Sequence, residues 1–266
     1  MSAIPQSADA PILLRSDADG VATLTLNRPL QFNSLSRPML EALIAEVDAI
    51  AIDSSVRVVV IAGEGKAFCA GHDLKEMRGN HTLAFQQALF RLCGKFMVKL
   101  TELPQPVIAR VHGIATAAGC QLVSMCDLAV AADIAKFAVS GINVGLFCAT
   151  PSVGLSRNMG RKEAFEMLVT GDFIDAHEAQ RRGLVNRVVA PAQLDDEVAK
   201  LAAAIVAKSP VAIRMGKQMF YRQLEMGMDA AYQMASETMA CNMMTEDAVE
   251  GIDAFVAKRK PEWKGH

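Results

Sequence analysis

Apolar and polar residues along this chain follow two periods, and the two alternate. Residues 12–17 and 21–27 read as strands, the second (VATLTLN) alternating apolar and polar. Asp19-Gly20 between them has the chemistry of a tight hairpin turn. From Pro38 to Ala51 the spacing becomes helical, with Leu40, Leu43, Ile44, Val47 and Ile50 on one face. RVVVIAGEG (57–65) is an unbroken apolar run ending in glycines, as expected of a strand buried on both faces. A helix is predicted over 82–101, a strand over 106–113 ending in glycine, an alanine-rich helix over 116–126, and a strand at LAVAA. Such alternation predicts an α/β architecture with mainly parallel pairing. From Glu163 onward the pattern reads as all-helical: 161–169, 176–183, 192–208, 210–240 with a break near Met226-Gly227, and Glu246 to Lys258. This tail is rich in methionine, which suits helix core or a subunit interface.

A chain of 266 residues, about half of it apolar, can bury a sizeable core. The formal charge of −2 gives no field to recruit nucleic acid or an anionic membrane, although local basic spots can still bind a phosphorylated ligand. Six scattered cysteines, with no CxxC, read as buried free thiols in a reducing compartment rather than metal ligands. No apolar run is long enough to span a bilayer, so no membrane insertion is expected. The start, MSAIPQSADAP, has no basic cluster before an apolar run and contains Asp9 but no arginine before Arg15. These features favour a cytoplasmic location and a short frayed start.

Two segments carry the chemistry: GKAFCAGHDLKEM (Gly65–Met77) and HGIATAAGCQLVSMCD (His112–Asp127). NRP at Asn27–Pro29, Asn33 to Leu35, the block TGDFIDAHEAQRRGLVNRVV and EGIDAFVAKRKPEW follow the same order. Together they resemble the crotonase (enoyl-CoA hydratase/isomerase) superfamily over nearly the whole chain. AGHDLKEM, ATAAGCQL and NVGLFCATP are most similar to its enoyl-CoA hydratase domain-containing protein three subgroup. The resemblance implies a ClpP-like spiral of ββα turns over residues 1–200 and a helical trimerisation region over 201–266. It also implies a homotrimer or dimer of trimers, and a coenzyme A thioester as ligand with no tightly bound cofactor and no metal. It further implies an oxyanion hole made by the backbone N–H groups of His72 and Ala118. Such donors can be aimed at the charge that develops on a thioester oxygen, and one is typically worth about 10²–10³ in rate. Ala70, Gly71, Ala117, Ala118 and Gly119 are small enough to let a ligand approach. Alanine prefers negative φ, so the aim of the second N–H depends on what conformation Ala117 adopts.

Hydratases of the family use two glutamates. Aligned on this chain, their positions are Gln121 and Gly141, and no carboxylate occurs from Lys136 to Pro151. Gln121 can hydrogen-bond a water but cannot take its proton. A third family position, an aspartate in dienoyl isomerases, is Ala149 here. A glycine at positive φ at position 141 would resist a side chain. Three readings follow: an oxyanion-hole enzyme of another type (thioester hydrolase or decarboxylase), a non-catalytic acyl-CoA-binding protein, or a hydratase with weak or relocated acid–base groups. The His72 imidazole and the Cys148 thiol are candidate replacement groups; His112 is expected to brace its turn and Cys120 to pack. For coenzyme A, the resemblance implies contacts along Lys66, Ala67, Phe68 and Ala70, with Asp73 and Leu74. Lys75 and Arg28 are candidate phosphate partners, and Lys258, Arg259, Lys260 and Lys264 a possible further source of charge.

Overall fold

The computed structural model describes residues 10–266, so the reading of the first nine lies outside it. β1 (Leu13–Ala18) and β2 (Val21–Leu26) form the expected hairpin. Asp19 and Gly20 both have positive φ, 51° and 78°, the geometry that matches strand twist. The strands that follow come in pairs. β3 (Val58–Gly63), β5 (Val107–Val111) and β7 (Leu128–Ala132) lie parallel in a large sheet. Their followers, β4 (Ala67–Cys69), β6 (Ile114–Thr116) and β8 (Lys136–Ala138), lie parallel in a small one. Two last strands, β9 (Ile174–Asp175) and β10 (Arg187–Val189), complete the orders β4-β6-β8-β9 and β1-β2-β3-β5-β7-β10.

Helices close each turn of this spiral. α1 (Arg37–Ala51) follows the hairpin, with the apolar face read from sequence buried or half-buried. α2 (Leu74–Gly79) and α3 (Leu83–Glu102) follow β4, α4 (Ala118–Met125) follows β6, and α5 (Ala149–Asn158) and α6 (Arg161–Thr170) follow β8. The unbroken β3 run is explained by burial on both sides. Val59 and Ile61 join the main core with Leu43, Phe96 and Phe137. Val58 and Val60 join a second cluster with Ile108 and Val130, covered by Val198 and Ala202. Those two belong to α8 (Leu194–Val206), which follows the short α7 (Ala176–Arg181). A unit boundary at 200/201 therefore falls inside α8.

Two parts of the sequence reading need correction. The strand read over 106–113 is present as β5, but a further strand was not foreseen: the chain turns at His112-Gly113 and enters β6, and a Cβ on Gly113 would lie 2.5 Å from the Lys66 carbonyl oxygen. The region after Glu163 is not all helix, because β9 and β10 join the two sheets. Elsewhere the helical reading stands. The break near Met226-Gly227 separates α9 (Pro210–Gln223) from α10 (Met228–Met243), and α11 (Glu246–Val256) follows. No residue of α10 is buried; Met228, Tyr232, Met239 and Met243 are exposed. No helix of the described residues is long and apolar enough to cross a membrane.

One buried network ties α9 to the spiral. Lys217 Nζ donates to Asp127 Oδ2 at 2.6 Å and to the carbonyls of Leu100 and Gln105 at 2.8 and 2.9 Å. Tyr221 donates to Asp127 Oδ1 at 2.7 Å, and the Val107 N–H to Oδ2 at 2.6 Å. Burial pulls the Lys217 pKa below its ordinary range, and Asp127 opposes that pull. A buried carboxylate, Asp247, accepts from Ser209 Oγ and from the N–H groups of Lys264 and Gly265. The basic C-terminus is thereby folded back, with Arg259 on Glu250 and Lys264 on Glu246. Breaking a buried pair leaves the other charge uncompensated. Lys217→Met is expected to cost about 3 kcal/mol or more in thermal or urea unfolding, and Lys217→Met/Asp127→Asn less than the sum of the two single losses.

Candidate functional site

The end of β4 and the start of α4 are held against one another by missing side chains. A Cβ on Gly119 would sit 2.1 Å from the Cys69 carbonyl oxygen. Gly71, at φ +94°, would place a Cβ 2.8 Å from Ala117 Cβ and 3.1 Å from the Ala118 nitrogen. The N–H groups of His72 and Ala118 thus belong to adjoining segments, and neither has an acceptor among the described residues. Ala118 is the first residue of α4, where a free N–H and the helix dipole coincide. Ala117 adopts φ 50°, ψ −121°, a conformation suited to glycine, and so resolves the question raised by its alanine. Its N–H donates to the Ala138 carbonyl at 3.0 Å, and its own carbonyl accepts from the Gln121 N–H at 3.0 Å. Such a conformation costs about 1–3 kcal/mol and persists only where the surroundings impose it.

His72 and Ala118 both line a cavity of about 700 Å³. Of the residues singled out from sequence, Ala70, His72, Asp73, Leu74, Lys75, Ala118, Gly141, Cys148 and Ala149 line it. Lys66 is exposed and outside the lining, while Ala67 and Phe68 are in the core. Arg28 stands behind the wall, donating to Asp73 Oδ2 at 3.1 Å and to the Ser34 carbonyl at 3.1 Å. Asp73 also caps α2, accepting from the N–H groups of Lys75 and Glu76. Burial pushes its pKa up, but the Glu76 N–H and the Arg28 guanidinium together hold it below the ordinary carboxylate range. Gln121 is buried and outside the lining, with Oε1 enclosed and without a partner among the described residues. His112 lies elsewhere: it donates Nε2–H to the Gly65 carbonyl at 3.0 Å, bracing the turn, and faces a separate hollow beneath α8.

The His72 ring is fixed in one tautomer. Its Nδ1 faces the Leu35 carbonyl at 3.1 Å, and a carbonyl can only accept, so Nδ1 carries the hydrogen. Nε2 is left as an enclosed, unpartnered acceptor, and the ring packs edge-on against Phe90 at 5.4 Å. Burial lowers its pKa, against the Leu35 bond, so the ring is held neutral. Cys148 is also buried, and burial raises its thiol pKa despite the Gly141 N–H. All six cysteines are free; five are buried and Cys241 is exposed.

Gly141 differs from the sequence expectation. It lies in a 3₁₀ turn (Ser140–Val144) and is not among the glycines with positive φ. The obstacle to a side chain there is space: a Cβ would meet Cys148 Sγ and the Leu146 carbonyl oxygen, each at 2.7 Å. Sequence reasoning also missed most of the apolar wall, which includes Leu30, Phe32, Phe90, Val144, Leu146 and Phe147. Several of these are exposed large apolar residues in loops, where no period marks them. A cue was present in Phe32-Asn33. Both have positive φ, 49° and 55°, and the buried Asn33 amide clamps Arg28, Glu64 and Ala67.

A family model described as enoyl-CoA hydratase/isomerase matches residues 16–266. "Enoyl-CoA hydratase domain-containing protein 3, mitochondrial" of Xenopus laevis is 43% identical over 95% of this chain and 86% of its own length. A solved enoyl-CoA hydratase of Mycobacterium smegmatis superposes with a TM-score of 0.94 at 60% identity, covering 96% of this chain and 99% of that one. The solved human enoyl Coenzyme A hydratase domain-containing protein 3 gives 0.93 at 42% identity, covering 95% and 100%.

The neutral His72 has a consequence for stability. Below the ordinary histidine pKa of about 6.5 the unfolded chain takes up a proton that the folded ring resists. Stability should therefore fall as pH drops from about 6.5, and His72→Gln should flatten that slope in melting curves. Part of the slope will persist, because burial also lowers His112. An unchanged slope would remove His72 from this role. Gly141→Glu should lower the melting temperature by several degrees, and adding Cys148→Ala should restore part of the loss by removing one of the two colliding atoms.

Proposed function

Because the chain belongs to the enoyl-CoA hydratase/isomerase family, we propose that the cavity between β4 and α4 binds the thioester of an acyl-CoA, with the His72 and Ala118 N–H groups on its oxygen. The observation that carries this is that His72 and Ala118, whose N–H groups have no acceptor among the described residues, sit on adjoining segments and line one cavity. Donors placed before the reaction need no reorganisation when negative charge develops on the oxygen, and burial away from water strengthens them. Lys75, exposed on α2 at the cavity edge, is the cation for a coenzyme A phosphate. Arg28 supports it indirectly, by holding the aspartate that caps α2. The exposed methionine face of α10 serves a second copy of the chain, in a trimer or dimer of trimers.

Efficient hydration is not part of this reading. Adding water to an enoyl thioester needs a base for the water and an acid for the neighbouring carbon. Asp73 is the single carboxylate in the cavity lining, and it is committed to Arg28 and the α2 cap. Gln121 supplies no proton-accepting group, and the space beside Gly141 is taken by the Cys148 thiol. His72 Nε2 is the remaining neutral acceptor, enclosed rather than open. A chemistry resting on the oxyanion hole alone, or binding without turnover, fits these groups better.

The test pairs binding with turnover. Acyl-CoA should bind at micromolar concentrations, and Lys75→Ala should weaken coenzyme A thioesters more than pantetheine thioesters lacking the phosphates. Crotonyl-CoA hydration should run several orders of magnitude below a typical turnover of about 10 s⁻¹. Normal turnover would overturn the assignment of Gln121 and Gly141 as the vacant acid–base positions.

A further inference from the structure

We propose that the hollow beneath α8 is a second binding site and that it takes a long linear polyamine. The inference stands apart from the acyl-CoA reading, because this hollow of about 920 Å³ shares no lining residue with the other cavity. Its floor is the α8 side of β2 and β3, where half-buried Thr23 and Thr25 lie in register with Val60 and Ala62. Its wall is α8, with Val198, Ala202 and Val206 on one stripe. Strand and helix run in opposite directions. A Cβ on Gly20, in the hairpin turn, would lie 3.6 Å from Val206 Cγ1, while Asp195 at the start of α8 pairs with Arg110 at the far end. The six residues of β2 give the trough a length of about 17 Å. The run from Asp195 to Val206 along α8 gives about 16 Å, in agreement.

Uncompensated charge sits at the two ends of this trough and nowhere between. Asp19 stands at the hairpin end and Glu64 at the other. Both are exposed, and neither carboxylate has an ion pair or hydrogen bond among the described residues. The other charges beside Glu64 cancel: Arg110 is paired with Asp195, and burial holds His112 neutral. His112 gives its Nε2–H to Gly65, so Nδ1 is an acceptor, enclosed and without a partner. In the middle, the Thr23 and Thr25 hydroxyls make no hydrogen bond among the described residues, and valine and alanine side chains supply the rest. A linear polyamine has the matching order of groups. Its end ammonium groups reach the two carboxylates, its methylenes cover the valines and alanines, and its inner N–H groups donate to the threonine hydroxyls. An anion would meet two carboxylates, with Arg110 already paired. An extended chain advances about 1.2 Å per bond, so spermine spans the trough end to end and 1,5-diaminopentane covers less than half of it.

Isothermal titration of the intact protein at constant ionic strength compares spermine, 1,12-diaminododecane and 1,5-diaminopentane. The last two carry the same charge and differ in length alone. Both long ligands should bind at least about tenfold tighter than the short one, since they gain a second carboxylate and further buried methylenes. Asp19→Asn and Glu64→Gln should each weaken the long ligands by about two- to fivefold, the worth of one exposed ion pair, and together by more than either alone. Ala203→Phe, at an exposed lining position of α8, should weaken them by narrowing the trough. Thermal melting confirms that each variant folds. Three amines of equal affinity, no binding of any of them, or a double variant that binds as the parent does overturns the inference. So does an equal loss in Glu237→Gln, a carboxylate of α10 outside the hollow, because that result marks general charge attraction.

Discussion

The contact between the Cys69 carbonyl and the bare Cα of Gly119 sets the geometry on which the site depends. The distance from that oxygen to an added Cβ, 2.1 Å, is far inside any tolerated contact. The first turn of α4 therefore lies closer to β4 than any side chain would allow. Gly71, two residues after Cys69, repeats the condition against Ala117 and Ala118. With so few side-chain atoms in this seam, two backbone N–H groups on adjoining segments have no acceptor among the described residues. The spiral brings the seam about: β4 and β6 pair in the small sheet, and α4 follows β6 directly.

The electrostatics around this seam are arranged by removing free charge rather than adding it. Asp73 is neutralised by Arg28, His72 is held neutral by burial, and Cys148 is kept protonated in the same way. Apart from Lys75 at the cavity edge, what remains is a set of dipoles and apolar side chains. Such a wall suits the polarised thioester proposed above. It gives little help to reactions that shuttle protons.

Much of the fold was legible because long elements declare their period. The α1 face and the doubly buried β3 were both read from spacing alone. β9 and β10 were not, since two or three residues are too few to show alternation. α5 was missed for another reason. Its sequence, ATPSVGLSRN, contains Pro151 and Gly154, and its helix rests on packing against α4; a Cβ on Gly154 would strike Ser124 Oγ at 2.2 Å. α2 did carry a signal, an aspartate cap with Glu76 three residues on. In the site, small residues in two motifs pointed to the backbone donors. The apolar rim was illegible because it is exposed, and exposure erases the pattern by which apolar residues are read. The crowding at Gly141 was hidden too: it depends on how the loop 141–148 folds back on itself.

The conformation of Ala117 bears on whether this site can be moved elsewhere. An isolated peptide carrying residues 116–121 would relax to negative φ and turn the Ala118 N–H away. The backbone of β8, through the Ala138 carbonyl, and the first turn of α4 hold it in place. Transplanting the two motifs onto another scaffold would carry the residues across without the geometry. A successful graft has to include β8, or replace Ala117 with glycine so that the turn becomes an intrinsic property of the segment.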